Sequence, residues 1–235
     1  MRVSQFEIYR LCQRALEGLG APYGVDQDGA RAVAWLEARG LPGLAPLGAD
    51  LARLDGSFAG LRLPAGEAID AAGRSAIGFC GAVVDLLVAL AAKDAVLHLR
   101  RCRSPLFLLP PAVAAASRGV AFDLAWQAGE GTVACRIVPP GRVALAPAPG
   151  PALEAMLLGG DGTDVAAASR RAEPGSAVAE PTEAYFAERL RQSLDLGIAV
   201  EPATWSAIGQ IATRVQVPAS EESRLKGAGG GDANE

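Results

Sequence analysis

Three arginines in four residues, Arg100-Arg101-Cys102-Arg103, are the strongest chemical signal in the chain. A guanidinium is permanently charged and offers a planar fork of donors that matches a carboxylate or phosphate. The run directly follows an apolar stretch with strand character, and ligands of open α/β sheets often bind beyond the carboxyl ends of strands. Arg100, Arg101 and Arg103 are therefore candidate substrate-binding residues for a small acidic metabolite. The competing reading is a solvated loop that pairs with surface acids. Cys102 sits among these cations, which would lower the pKa of an accessible thiol. His98 is the only histidine. It is the one side chain that titrates near neutral pH by type, and so the candidate catalytic base. No Ser, Cys or Asp partner is visible beside it, so a structural or surface role competes. A single histidine and cysteines without CxxC spacing give no metal site.

Two other stretches carry chemistry by type. The tail holds Ser220, Ser223 and Arg224, followed by Gly227-Ala228-Gly229. Hydroxyls, a cation and small residues suit close approach to another surface. These three side chains are expected to close over the arginine site, against the alternative of a frayed terminus. Gly159-Gly160-Asp161-Gly162-Thr163 looks like the phosphate-binding string of NAD kinases and diacylglycerol kinases. Its context is a spacer followed by helices, which favours a Gly-Asp-Gly turn.

The elements that position these residues read as α/β, specifically α+β. The expected architecture is a mixed, partly antiparallel sheet with helices packed around it, an N-terminal helical cap and C-terminal helices. Residues 1–56 form the cap. Ser4 and Glu7 have capping-box spacing, and Ile8, Leu11, Cys12, Ala15, Leu16 and Leu19 share one helical face. Asp26 or Asp28 is placed to cap a second helix, and Leu47–Leu54 is a third. Residues 57–158 form the central unit: a helix over Ala82–Lys93, a strand Ala95–Arg100, a helix Pro110–Arg118 and a strand Val120–Trp126, suiting a βαβ crossover. If the first strand is regular, His98 shares a face with Val96 and Arg100 while Leu97 and Leu99 face away. Thr132–Val138 and Arg142–Ala146 flank Pro139-Pro140-Gly141 as a hairpin. Residues 159–181 read as a flexible spacer. Residues 182–235 carry two helices, the first capped by Thr182, and the Gly-rich tail. The four segments together suit one globular domain.

Composition narrows the classes. Half the residues are hydrophobic, enough for a sizeable core across 235 residues. A formal charge of −4 argues against a nucleic-acid partner. The longest apolar run, Ala82–Ala92, contains Asp85 and is shorter than the roughly 20 residues a membrane span needs. Met1–Glu7 leads straight into an amphipathic helix rather than a signal peptide. Four scattered cysteines fit a reducing compartment. The expectation is a cytoplasmic protein without a nucleic-acid or membrane partner.

Two resemblances add to this reading. Tyr23-Gly24-Val25 with Arg31 through Gly43, and Val217 through Arg224 with Gly227-Ala228-Gly229, resemble the two ends of an uncharacterised bacterial family known only by a domain-of-unknown-function label, DUF 3726. That family brings no activity. The order of elements is similar to the non-Rossmann malate/L-lactate dehydrogenase family. This implies NAD or NADP on a largely antiparallel sheet, and a dimer. Three of that family's strings differ here. Arg39-Gly40-Leu41-Pro42-Gly43 stands where it has Ser-His-Gly. Its Arg-Asn-Ser-x-His falls on Arg100 to Ser104 and keeps only the arginine. Its Gly-Thr-Asn-Pro is missing. Three functions follow as expectations: an enzyme or enzyme subunit binding a small amino or oxo acid, a non-catalytic partner that stabilises a metabolic enzyme, and an NAD(P)-dependent oxidoreductase with relocated catalytic residues. A concave pocket with an arginine favours the first, an apolar patch the second, and a cleft long enough for a dinucleotide the third.

Overall fold

The computed structural model describes residues 1–58, 68–94, 96–150, 153, 157, 162–172 and 180–215. The Ser4–Glu7 capping box forms as expected: the Ser4 amide donates to Glu7 Oε2 at 2.7 Å and the Glu7 amide donates to Ser4 Oγ at 3.2 Å. It starts α1 (Gln5–Gly18), whose Ile8, Cys12, Ala15 and Leu16 are buried. α2 (Val25–Ala38) follows. Neither Asp26 nor Asp28 caps it, because the N-cap position is Gly24. Asp26 instead folds back inside the first turn and accepts from the Gly24 amide at 2.8 Å. α3 (Leu44–Leu54) starts earlier than expected. The carboxylate of Glu37 accepts from the Gly43 and Leu44 amides at 2.8 and 2.7 Å and satisfies donors that would otherwise be orphaned there.

The main sheet has six strands in the order β2-β3-β7-β4-β5-β6. These are β2 (Ala68–Asp70), β3 (Val96–Cys102), β4 (Val120–Ala128), β5 (Gly131–Val138), β6 (Arg142–Ala146) and β7 (Thr163–Arg171). β2 runs parallel to β3, and the other neighbouring pairs are antiparallel. The sheet is therefore mixed and largely antiparallel, as expected, and the β5–β6 hairpin is present. The βαβ crossover is present in split form: β3 and β4 run parallel to each other with a helix between them in sequence, but they do not pair directly, because β7 lies between them and is antiparallel to both. The spacer is corrected: the stretch assigned to it contains β7, an interior strand. Val165, Ala167 and Ser169 are buried on one face of that strand, and Ser169 Oγ donates to the Leu87 carbonyl at 2.6 Å.

That face of the sheet packs on α4 (Cys80–Leu90) and α5 (Leu109–Ala116). Leu97, Leu99, Phe122, Leu124, Val133 and Ile137 supply its core. Full burial of side chains this size is worth about 1.5–3 kcal/mol each. On the other face one cross-strand row reads Ala68, His98, Ala166, Ala125, Ala134 and Ala146.

At the chain's ends, β1 (Arg2–Val3) pairs antiparallel with β8 (Ile198–Ala199). α6 (Glu180–Leu196) and α7 (Pro202–Ala212) bracket β8. Thr182 lies inside α6 rather than capping it, and its Oγ1 accepts from the Leu145 amide at 3.4 Å. α7 is capped by Glu201, and α1 packs against it. Seven helices are present among the described residues, and none is long and apolar enough to cross a membrane.

Candidate functional site

The site is built by an irregularity in β3. Leu97 and Leu99 are buried while Val96, His98 and Arg100 are exposed, the alternation of a regular strand. Strict alternation would next bury Arg101 and expose Cys102. Instead the register shifts between Leu99 and Cys102, and Arg101 takes a positive φ of 52°. A bulge adds one residue and reverses the parity beyond it. Arg100 and Arg101 both face outward, and Cys102 drops into the core at 0% exposure.

The three arginines are thereby separated. Arg100 lies on the outer face with His98, close enough to Asp70 for its charge to help lower that carboxyl's pKa. Arg101 turns to Asp70. Its Nε donates to Asp70 Oδ1 at 2.9 Å, Nη2 donates to Oδ2, and its amide donates to Asp164 Oδ1 at 2.9 Å. The Arg101 hydrogen bonds, with that from the Ala72 amide, hold Asp70 below the ordinary carboxylate value. This pair is solvent-exposed and forms a surface clasp between β2 and β3.

Arg103 goes the other way. Its backbone bridges to Ser75, with the Arg103 amide donating to the Arg74 carbonyl at 3.0 Å and the Ala76 amide donating to the Arg103 carbonyl at 2.8 Å. Its side chain reaches α3, where Nε donates to Asp50 Oδ1 at 2.9 Å. Ser104, at a positive φ of 49°, donates its hydroxyl to Asp50 Oδ2 at 3.0 Å. Asp50 is 1% exposed, so its charge is offset by a cation and a hydroxyl rather than by water. Arg103 and Asp50 line a cavity of about 280 Å³, together with Ser104, Trp126, Gln127 and Thr163.

Sequence reasoning missed Asp50. A signal was present: Asp50 stands three residues after Leu47 and four before Leu54, on the apolar stripe of α3. A carboxylate there must find a buried partner. Cys102 is not accessible, so the neighbouring arginines do not activate it. Burial, aided by the negative charge of Asp50, pushes the Cys102 thiol up to about 12, and its Sγ lies 3.6 Å from the Arg103 carbonyl. His98 is exposed on the outer face, away from the Asp50 cavity. Ser220, Ser223, Arg224 and Gly159 to Asp161 lie outside the described residues. No group of three His, Cys, Asp or Glu side chains among the described residues is placed to hold a metal ion.

With this geometry in hand, the comparisons define a fold class. The structure has the fold of a dehydrogenase from Sinorhizobium meliloti (TM-score 0.65, 15% identity, covering 90% of this chain and 99% of that one). It is also similar to the malate dehydrogenase of Pyrococcus horikoshii (TM-score 0.61, 13% identity, 92% and 96% covered). The sulfolactate dehydrogenase of Methanocaldococcus jannaschii also superimposes (TM-score 0.60, 10% identity, 91% and 97% covered). These likenesses bear out the element order read against the malate/L-lactate dehydrogenases. Residues 3–75 match the family described as "Protein of unknown function (DUF3726)", which takes in the N-terminal strings of the sequence resemblance and not those of the tail. No curated protein matches the chain by sequence.

Proposed function

We propose that the chain binds a small carboxylic acid in the Asp50–Arg103 cavity. The observation that carries this is the fixing of Arg103 by a buried carboxylate in the wall of a concave site. The Nε–Asp50 hydrogen bond fixes the guanidinium plane, so little conformational entropy is lost when an anion docks against it. Ser104, Gln127, Thr163 and Trp126 also line the cavity, with the Ser104 hydroxyl held by Asp50 and the Gln127 Nε2 by Thr132 Oγ1. Pockets of this composition suit small polar ligands. Proteins of the same fold are named for malate and sulfolactate, both small acids.

Hydride transfer does not follow from the fold alone. Among the described residues the cavity, at about 280 Å³, is too small for a nicotinamide dinucleotide, and no histidine lines it. The residues present therefore do not fit that cofactor at this site.

A thermal-shift screen against malate, lactate, sulfolactate and small oxo acids tests the proposal. A ligand that binds the folded state raises the melting temperature by mass action. The expected result is a shift with at least one acid, reduced in Arg103→Lys when each protein is compared with its own ligand-free form. A shift that is the same in both proteins would overturn the assignment.

A further inference from the structure

A second cavity, of about 390 Å³, lies on the far side of the Gly40–Gly43 segment and shares Pro42 as a wall with the Asp50–Arg103 site. Its charged groups come from four places in the chain: Arg2 on β1, Glu37 near the end of α2, Arg189 on α6 and Glu201 before α7. Two of these are committed to the fold. Glu201 caps α7 through the Ala203 and Thr204 amides. Arg2 donates through Nη1 to the Leu196 and Gly197 carbonyls at the end of α6.

Glu37 is different. Both of its hydrogen bonds, from the Gly43 and Leu44 amides, fall on Oε1. Among the described residues Oε2 has no hydrogen-bond partner, yet it is not sealed from the cavity. Burial raises the Glu37 pKa, against the two amide hydrogen bonds that lower it. A cationic donor at Oε2 would complete the environment of this carboxylate.

Arg189 supplies the opposite charge. Its guanidinium packs on the Tyr185 ring at 5.8 Å, and its Nη1 donates to Gln192 Oε1 at 3.4 Å. It forms no ion pair among the described residues. It lies against the backbone of Gly40, where any side chain would collide with it and with the Tyr185 hydroxyl. The arginine and the glutamate thus flank the same segment, one as an anion receptor and the other as a cation receptor. Leu41, Leu44 and Ile198 give the space between an apolar lining.

We infer that this second cavity is a binding site for a zwitterionic amino acid, with its carboxylate on Arg189 and its ammonium on Glu37 Oε2. The inference is independent of the acid site, because no charged group is shared between the two cavities.

Titration calorimetry and thermal shift with L-valine test it, beside isovalerate, which lacks the ammonium, and isobutylamine, which lacks the carboxylate. L-valine is expected to bind and the two single-charge analogues to bind at least about tenfold more weakly, the usual worth of one charge-assisted hydrogen bond. Arg189→Ala and Glu37→Gln should each weaken L-valine about tenfold or more, while Arg103→Lys leaves it unchanged. Arg189 is exposed, so its variant tests the site even if Glu37→Gln folds poorly. Equal binding of isovalerate and L-valine would overturn the zwitterion assignment. Absence of binding by L-valine and the other neutral L-amino acids would overturn the site.

Discussion

Nε of Arg103 lies 2.9 Å from Oδ1 of Asp50 across 53 positions of sequence, and it joins the end of β3 to the buried face of α3. The side chains are 13% and 1% exposed, so neither charge is well served by water. Removing one partner of such a pair leaves the other charge under-compensated away from water and typically costs about 3–5 kcal/mol. Asp50→Ala should therefore lower stability by about 3 kcal/mol. Asp50→Asn, which keeps an oxygen for Arg103 and the Ser104 hydroxyl, should cost less. Urea unfolding of both variants checks the order. Equal stability of Asp50→Ala and the parent would show that the pair does not hold these elements together.

Gly18 sits where α1 meets α7. A Cβ there would lie 2.7 Å from the Ile211 carbonyl oxygen, a backbone atom that cannot rotate away. Alanine would gain about 1 kcal/mol of helix propensity. Overpacking costs about 1–3 kcal/mol, so the two effects compete and crowding against the backbone wins. Gly18→Ala should lower the melting temperature, despite placing a better helix former within α1. A rise in melting temperature would mean that α7 shifts at no cost.

Glu37 makes stability depend on pH in a defined direction. Its folded pKa is raised above the ordinary 4.5, chiefly by burial. The folded state thus holds the proton more tightly than the unfolded state. Its favourable contribution is complete below about 4.5 and is lost as pH rises through the folded pKa. Glu37→Gln cannot ionise and escapes this loss. The melting-temperature difference between variant and parent should be small in acid and grow in favour of the glutamine as pH rises. A difference independent of pH would contradict the placement of Glu37.

All four cysteines are buried as free thiols. Burial pushes Cys80 and Cys102 up to about 12, and Cys12 and Cys135 higher still. Thiol reagents at mildly alkaline pH should leave the native protein unmodified and label it only on unfolding. Rapid labelling of Cys102 in the native protein would place it at the surface instead.

The strongly periodic parts of this fold were legible from residue types. The capping box, the apolar stripe of α1, the β5–β6 hairpin and the alternation of Leu97 with Leu99 were all readable from local spacing. β7 was not, because its inward residues Val165, Ala167 and Ser169 alternate with Ala166 and Ala168, so the two faces show little contrast in hydrophobicity. Its partners, β3 and β4, lie far away in sequence. The fate of the arginine run was hidden for a related reason. A single bulge decides which side each arginine takes, and Asp70, Asp164 and Asp50 become their partners only through tertiary contact. The cation needed for an acid site was visible. The carboxylate that orients it was visible only as an unexplained aspartate on an apolar stripe.

The central claim rests on Arg103 rather than on arginine content. The most direct measurement is calorimetric titration, with the acid that gives the largest thermal shift, of the parent, Arg101→Ala and Arg103→Lys. Arg101 is exposed and clasped to Asp70, so its removal should leave the affinity unchanged. Arg103→Lys keeps the charge but loses the planar fork, and should weaken binding about tenfold. The opposite pattern, with affinity lost in Arg101→Ala and kept in Arg103→Lys, would contradict the account and move the site to the surface of β2 and β3.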